Sequence, residues 1–123
     1  MAMLNSDEVN FVLDVLSDAA IYEQLAEECS ELAKASLKKA RKLRGENPTP
    51  LFNNEIDAAI TEEFSDVMLC SKILGLYSDD RTMESKLSRW CNRIKKFRGE
   101  NPTRFFNNEI DTAINDILEE MND

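Results

Sequence analysis

The sequence predicts an all-α fold, a helical bundle of four to five helices. Three observations carry that expectation. Only 3 Gly and 3 Pro interrupt 123 residues of which 42% are apolar, which favours long helices over a turn-rich β fold. Apolar residues recur at three- and four-residue intervals. Short polar residues suited to N-capping precede most of those runs.

In chain order, Asn5-Ser6-Asp7-Glu8 offers a cap for a short first helix with Val9, Val12, Leu13 and Leu16 on its apolar side. Ser17-Asp18 caps a longer helix, roughly 19 to 43, with one stripe through Leu25, Cys29, Leu32, Ser36, Ala40 and Leu43. Tyr22, Ala26, Ala33 and Leu37 form a second stripe beside it. So much apolar girth calls for more than one neighbour, another subunit among them. Cations from Lys38 to Arg44 complement the helix C-terminus, Gly45 suits a C′ position, and Asn47-Pro48-Thr49-Pro50 stops the helix. A third helix spans about Asn54 to Leu74, with Ile56, Ala59, Ile60, Phe64, Val67, Met68 and Ile73 expected to be largely buried. After a turn at Tyr77–Asp80, a fourth helix over about 81 to 97 carries Met83, Leu87, Trp90, Ile94 and Phe97 on one face. Ile110, Ala113, Ile114, Ile117, Leu118 and Met121 predict a fifth.

Composition bounds the function. The length fits a single domain, able to bury about two-thirds of its unfolded surface. With 15 Lys+Arg against 24 Asp+Glu the net charge is −9, and with no long basic run a nucleic-acid polymer is an unsuitable partner. Cys29, Cys70 and Cys91 are an odd number within helical patterns and read as reduced, core-filling thiols. Neither a signal peptide nor an apolar run of membrane-spanning length is present, so a soluble, cytoplasmic protein is expected. The absence of histidine removes Ser-His and Cys-His catalysis, histidine zinc sites and Glu-x-x-His di-iron bundles. Any metal site must be built of carboxylates.

Two acidic stretches supply them. Glu28 with Glu31, and Glu63 with Asp66, are each spaced three residues apart, which puts each pair on one helical face. Four carboxylates from two helices make a set of hard oxygens suited to Mg²⁺ or Mn²⁺. Spacing alone is weak, since about 5 such pairs arise by chance at this acidity and solvated faces are the common case. The neighbours tip the balance: Glu28 and Glu31 share a face with Ala35 and Lys38, and Glu63 and Asp66 with Ala59 and Cys70. Acids among small or apolar side chains look partly enclosed and call for a cation.

Residues 44–60, RGENPTPLFNNEIDAAI, recur as residues 98–114, RGENPTRFFNNEIDTAI, with 14 of 17 positions identical at an offset of 54. The acids do not recur with them. Glu28 maps to Thr82, Glu31 to Ser85 and Glu63 to Ile117, and only Asp66 meets an acid, Glu120. The duplicated part is a connector and the start of a helix, which leaves one metal site per chain.

Leu25-Ala26-Glu27-Glu28-Cys29-Ser30-Glu31-Leu32-Ala33 followed by Glu62-Glu63-Phe64-Ser65-Asp66-Val67 resembles the MazG-like branch of the all-α NTP pyrophosphatases, which pair ExxE on one helix with ExxD on the next. The RGENPTP connector and Lys86-Leu87-Ser88-Arg89-Trp90 also look like that branch. The resemblance covers roughly residues 20 to 97. The 31 residues between Glu31 and Glu63, and the terminal repeat, depart from its usual core. It implies a single MazG-like domain over 1–123, with a core of about 19–97 and the repeat plus terminal helix over 98–123. The implied reaction is Mg²⁺-dependent hydrolysis of a (deoxy)nucleoside triphosphate to monophosphate and pyrophosphate, by a homodimer or homotetramer. Glu28, Glu31, Glu63 and Asp66 would be the metal-binding and catalytic residues. Lys38, on the face of Glu28 and Glu31, and Lys86, Arg89 and Arg93, along one side of the fourth helix, are candidates for phosphate binding. For each of those cations a solvated surface charge is an equal alternative, and Trp90 reads as core before base-stacking. The competing readings are a phosphoribosyl-ATP pyrophosphohydrolase and a non-catalytic helical dimerisation or regulatory module.

Overall fold

The computed structural model describes residues 3–46, 52–100, 114–116 and 118–119, with side chains as far as 98 in the fourth helix. All regular structure among them is helical: α1 (Ser6–Val15), α2 (Asp18–Arg44), α3 (Asn53–Ile73) and α4 (Asp80–Glu100). The chain divides into two compact units, Met1–Tyr77 and Ser78–Asp123.

Local chemistry sets the helix ends in the first unit. Asn5 accepts the Glu8 amide at 3.0 Å and Ser17 accepts the Ala20 amide at 3.1 Å, each satisfying a donor that the first helical turn leaves open. α2 stops at Gly45, whose φ of 71° is left-handed. There the Gly45 amide donates to the Lys42 carbonyl and the Glu46 amide to the Arg41 carbonyl, a Schellman closure. Gly75 repeats the device after α3 at φ 72°, with Gly75 donating to Lys72 and Leu76 to Ser71. The stop at Asn47–Pro50 expected from the sequence lies outside the described residues.

α3 packs back along α2 as an antiparallel hairpin. Its core is small: Ile56 is 2% exposed, Ile21 3%, and Ala35 and Cys70 are also buried. Several expected core positions are instead open. Cys29, Leu37, Leu43 and Tyr22 on α2, and Phe64 and Met68 on α3, are exposed. The physical reason is that α3 covers only one stripe of α2, along Ala35, and leaves both sequence stripes partly uncovered. α1 lies beside the second half of α3, where Leu4, Val9, Val12, Leu69 and Ile73 line a groove of about 230 Å³. Leu13 and Leu16, expected on its apolar side, are exposed.

In the second unit Asp79 caps α4, accepting the Thr82 amide at 2.8 Å and its hydroxyl at 2.6 Å. Met83, Leu87 and Trp90 are exposed along this helix, so Trp90 is not the core residue its spacing suggests. The predicted fifth helix lies largely outside the described residues; residues 114–116 and 118–119 are helical. Among the described residues, no helix is long and apolar enough to cross a membrane.

Candidate functional site

The α2–α3 hairpin decides which acids meet. Lys39 on α2 pairs with Asp57 on α3 at 2.8 Å, which marks the antiparallel register near the connector. Counting back eleven residues on α2 reaches Glu28, and counting on nine along α3 reaches Asp66. Glu28, Glu63 and Asp66 indeed converge, all half-buried, with one carboxylate oxygen from each lying within 4.8 Å of the others. Glu63 and Asp66 share a face because they are three residues apart, and the hairpin brings Glu28 onto it.

The fourth predicted acid stands slightly apart. Glu31 pairs with Lys34 at 3.3 Å on its own helix. Its charge still reaches the site, for it is among the groups that raise the pKa of Glu63. Glu28 is held from within α2: the Gln24 side-chain amide donates to its Oε1 at 2.7 Å.

Electrostatics mark the cluster as short of positive charge. Glu63 is pushed above the ordinary carboxylate value, first by desolvation and then by the negative charge of Asp66, Glu28, Glu62 and Glu31. The buried Cys70 thiol is also pushed up, by desolvation and then by Glu28, Asp66 and Cys29. It therefore stays a neutral thiol on the same side of the hairpin. All three cysteines are free; Cys70 is buried as expected, whereas Cys29 and Cys91 are exposed.

The donor set fits a hard divalent cation. Three carboxylates from two helices supply oxygens alone, and the repulsion that adds to desolvation in raising Glu63 is what such an ion would relieve. Exposed acidic groups also gather without one, and these three are half-buried rather than enclosed.

The predicted phosphate-binding cations fall in both units. Lys38 is exposed on α2, Lys86 and Arg89 are exposed on α4, and Arg93 is half-buried there. The Lys34–Glu31 and Lys39–Asp57 ion pairs are among those not expected from the sequence. Lys34 follows Glu31 by three residues and was visible as a helical ion pair. The Lys39–Asp57 bridge needs the register of the hairpin, which no local pattern specifies. No family model, curated protein or solved structure matches the chain.

Proposed function

We propose that this protein hydrolyses a (deoxy)nucleoside triphosphate to the monophosphate and pyrophosphate in a Mg²⁺-dependent reaction. The observation that carries the reading is the convergence of Glu28, Glu63 and Asp66 from two antiparallel helices, in a sequence that resembles the MazG-like ExxE and ExxD pairs. Glu28, Glu63 and Asp66 would hold the cation, with Glu31 beside them, and Mn²⁺ is the natural substitute. When bound, the ion neutralises phosphate charge and lowers the pKa of a coordinated water.

The chain's own groups divide the remaining work. Gln24 holds the carboxylate of Glu28 through one of its oxygens and would steady it as a ligand. Glu63, whose affinity for a proton is raised, is the carboxylate suited to take the proton of an attacking water. Lys38, Lys86, Arg89 and Arg93 are the proposed partners of the phosphates, where positioning and charge stabilisation supply most of the catalysis.

The proposed assembly is a homodimer or homotetramer. Phe11, Tyr22, Leu37 and Phe64 are all more than half exposed in the first unit, an amount of open apolar surface that association would cover. The same observation favours the second reading, a helical interaction module without chemistry.

The deciding experiment is product analysis with Mg²⁺ over a panel of dNTPs and NTPs, comparing wild type with Glu63→Gln. Monophosphate and pyrophosphate from wild type alone would support the reading. Orthophosphate would mean that a different bond is cut. No turnover on any substrate, together with no Mg²⁺ binding, would leave the interaction module standing.

A further inference from the structure

α4 is a basic helix in an acidic chain. Its residues 81–98 carry seven of the chain's 15 Lys and Arg but only one, Glu84, of its 24 Asp and Glu. The end of α2 is also rich in cations, yet there Lys34, Lys39 and Arg44 are paired with acids. On α4, Lys86, Arg89, Lys95 and Arg98 have no ion-pair partner among the described residues.

The apolar residues of this helix form one stripe. Met83, Leu87, Trp90, Ile94 and Phe97 follow a four-three-four-three spacing and fall within a sector of about 80° at 3.6 residues per turn. Lys86 borders that sector on one side and Arg98 on the other. Much of the stripe is open. From Arg81 to Asn92 every residue is exposed, Met83, Leu87 and Trp90 among them, while Ile94 and Phe97 are half-buried.

Charge decides what can cover it. A second copy of α4 would bring two sets of seven cations together, and their repulsion grows as water leaves. A surface of anionic phospholipid satisfies both halves of the helix. Its acyl boundary takes the stripe, and Lys86 and Arg98 have stems long enough to lie along that boundary with their charges among the phosphates. Tryptophan is suited to the same depth, with an apolar ring and one polar N–H. From Met83 to Phe97 the stripe runs about 21 Å at 1.5 Å per residue, all on one side. Such a helix lies in the plane of a bilayer surface and does not span it, and no described helix is long and apolar enough to span one.

We propose that α4 binds the surface of an anionic phospholipid membrane, through the Met83–Leu87–Trp90 stripe and the cations that border it. Lys95 and Arg98, which have no part in the reaction proposed above, share the charge contacts. The proposal therefore stands or falls separately from that reaction.

Trp90 is the chain's one tryptophan and reports the encounter directly. Vesicles of phosphatidylcholine mixed with phosphatidylglycerol should shift its emission to the blue, shield it from an aqueous quencher and sediment with the full chain. Vesicles of phosphatidylcholine alone should do none of these. Added salt should weaken the binding, because the screening length falls from about 10 Å at 0.1 M to about 3 Å at 1 M. Lys95→Gln and Arg98→Gln leave the stripe intact and should each lower the affinity about fivefold. Leu87→Glu, at an exposed position, should lower it about tenfold or more. No blue shift and no sedimentation with the phosphatidylglycerol vesicles would overturn the proposal. Equal binding to both kinds of vesicle at every salt concentration would overturn it too, since charge would then play no part. A blue shift that grows with protein concentration in the absence of vesicles would assign the stripe to a second copy. Shielding of Trp90 by an acidic amphipathic peptide but not by the anionic vesicles would assign it to a protein. Either result overturns the membrane assignment.

Discussion

The side-chain amide of Gln24 donates to Oε1 of Glu28 at 2.7 Å, from one turn earlier on α2, and so holds a carboxylate that gathers with Glu63 and Asp66 of α3. Groups that orient a ligand's free atom commonly change cation affinity by about 10- to 100-fold when lost. Gln24→Ala should accordingly weaken Mn²⁺ binding by about 10-fold, read by calorimetry or by the loss of free-ion signal in EPR. Gln24→Glu should weaken it differently, adding a charge and an acceptor where a donor is needed. Equal affinity in wild type and Gln24→Ala would show that Glu28 needs no orienting partner.

The raised pKa of Glu63 gives the site a direction in pH. Its folded-state value lies above the unfolded one, so the protonated form is favoured by folding. That contribution to stability is present below the ordinary carboxylate pKa and is lost as pH rises through the raised value of Glu63. Cation binding must displace the same proton, so affinity should climb over that interval and then level off. Glu63→Gln should flatten both trends, measured by thermal unfolding and by Mn²⁺ titration across the acidic range. A wild-type affinity that falls as pH rises would contradict the assignment of Glu63 to the site.

Much of the helical framework was legible because several helix ends carry their own chemistry, although α3 starts behind Phe52 with no side-chain cap. Asn5, Ser17, Gly45 and Asp79 all cap where their residue types say they should, and the helix limits fall within a few residues of the expected ones. The burial pattern was less legible. Phe64, Met68 and Trp90 follow helical apolar spacing and are nevertheless exposed, because periodicity names a face without naming what covers it. Three of the four predicted acids meet for a reason the sequence does contain: paired spacing on two consecutive helices joined by a short connector. The register that separates Glu28 from Glu31 was not readable. It depends on how α3 slides along α2, and the Lys39–Asp57 bridge reports that directly.

That bridge is a marker of register more than a source of stability. The Lys39 side chain is 24% exposed and that of Asp57 60%, so water screens the pair. A double-mutant cycle with Lys39→Ala and Asp57→Ala should give a coupling below about 1 kcal/mol that shrinks as salt is added. A coupling well above that, insensitive to salt, would mean the pair is far less solvated than it looks.

Ile56 is where stability concentrates. At 2% exposure it is the most buried side chain among the described residues, of which only four in this unit are buried. Ile56→Ala should cost about 2 to 5 kcal/mol in urea unfolding, through lost burial and the cavity left beside α2. Because Ile56 and Asp57 are adjacent, the same change should loosen the hairpin and weaken Mn²⁺ binding at the opposite end of the register.

Gly45 offers the sharpest separation of backbone from side-chain effects. Nothing lies within 4 Å of where a Cβ would stand, so Gly45→Ala meets no steric obstacle. Its cost comes from the φ of 71° alone, a left-handed conformation that disfavours every residue with a Cβ. The expected loss is about 1 kcal/mol, and Gly45→Asn should recover part of it because asparagine tolerates this region better than alanine. Gly75 ends α3 with the same φ and the same open surroundings, so Gly75→Ala should cost a similar amount. If Gly45→Ala were neutral while Gly75→Ala was costly, the turn after α2 would not need its left-handed residue. The return of α3 onto α2 would then be set by Ile56 and the α2 surface it meets, with the connector merely permitting it.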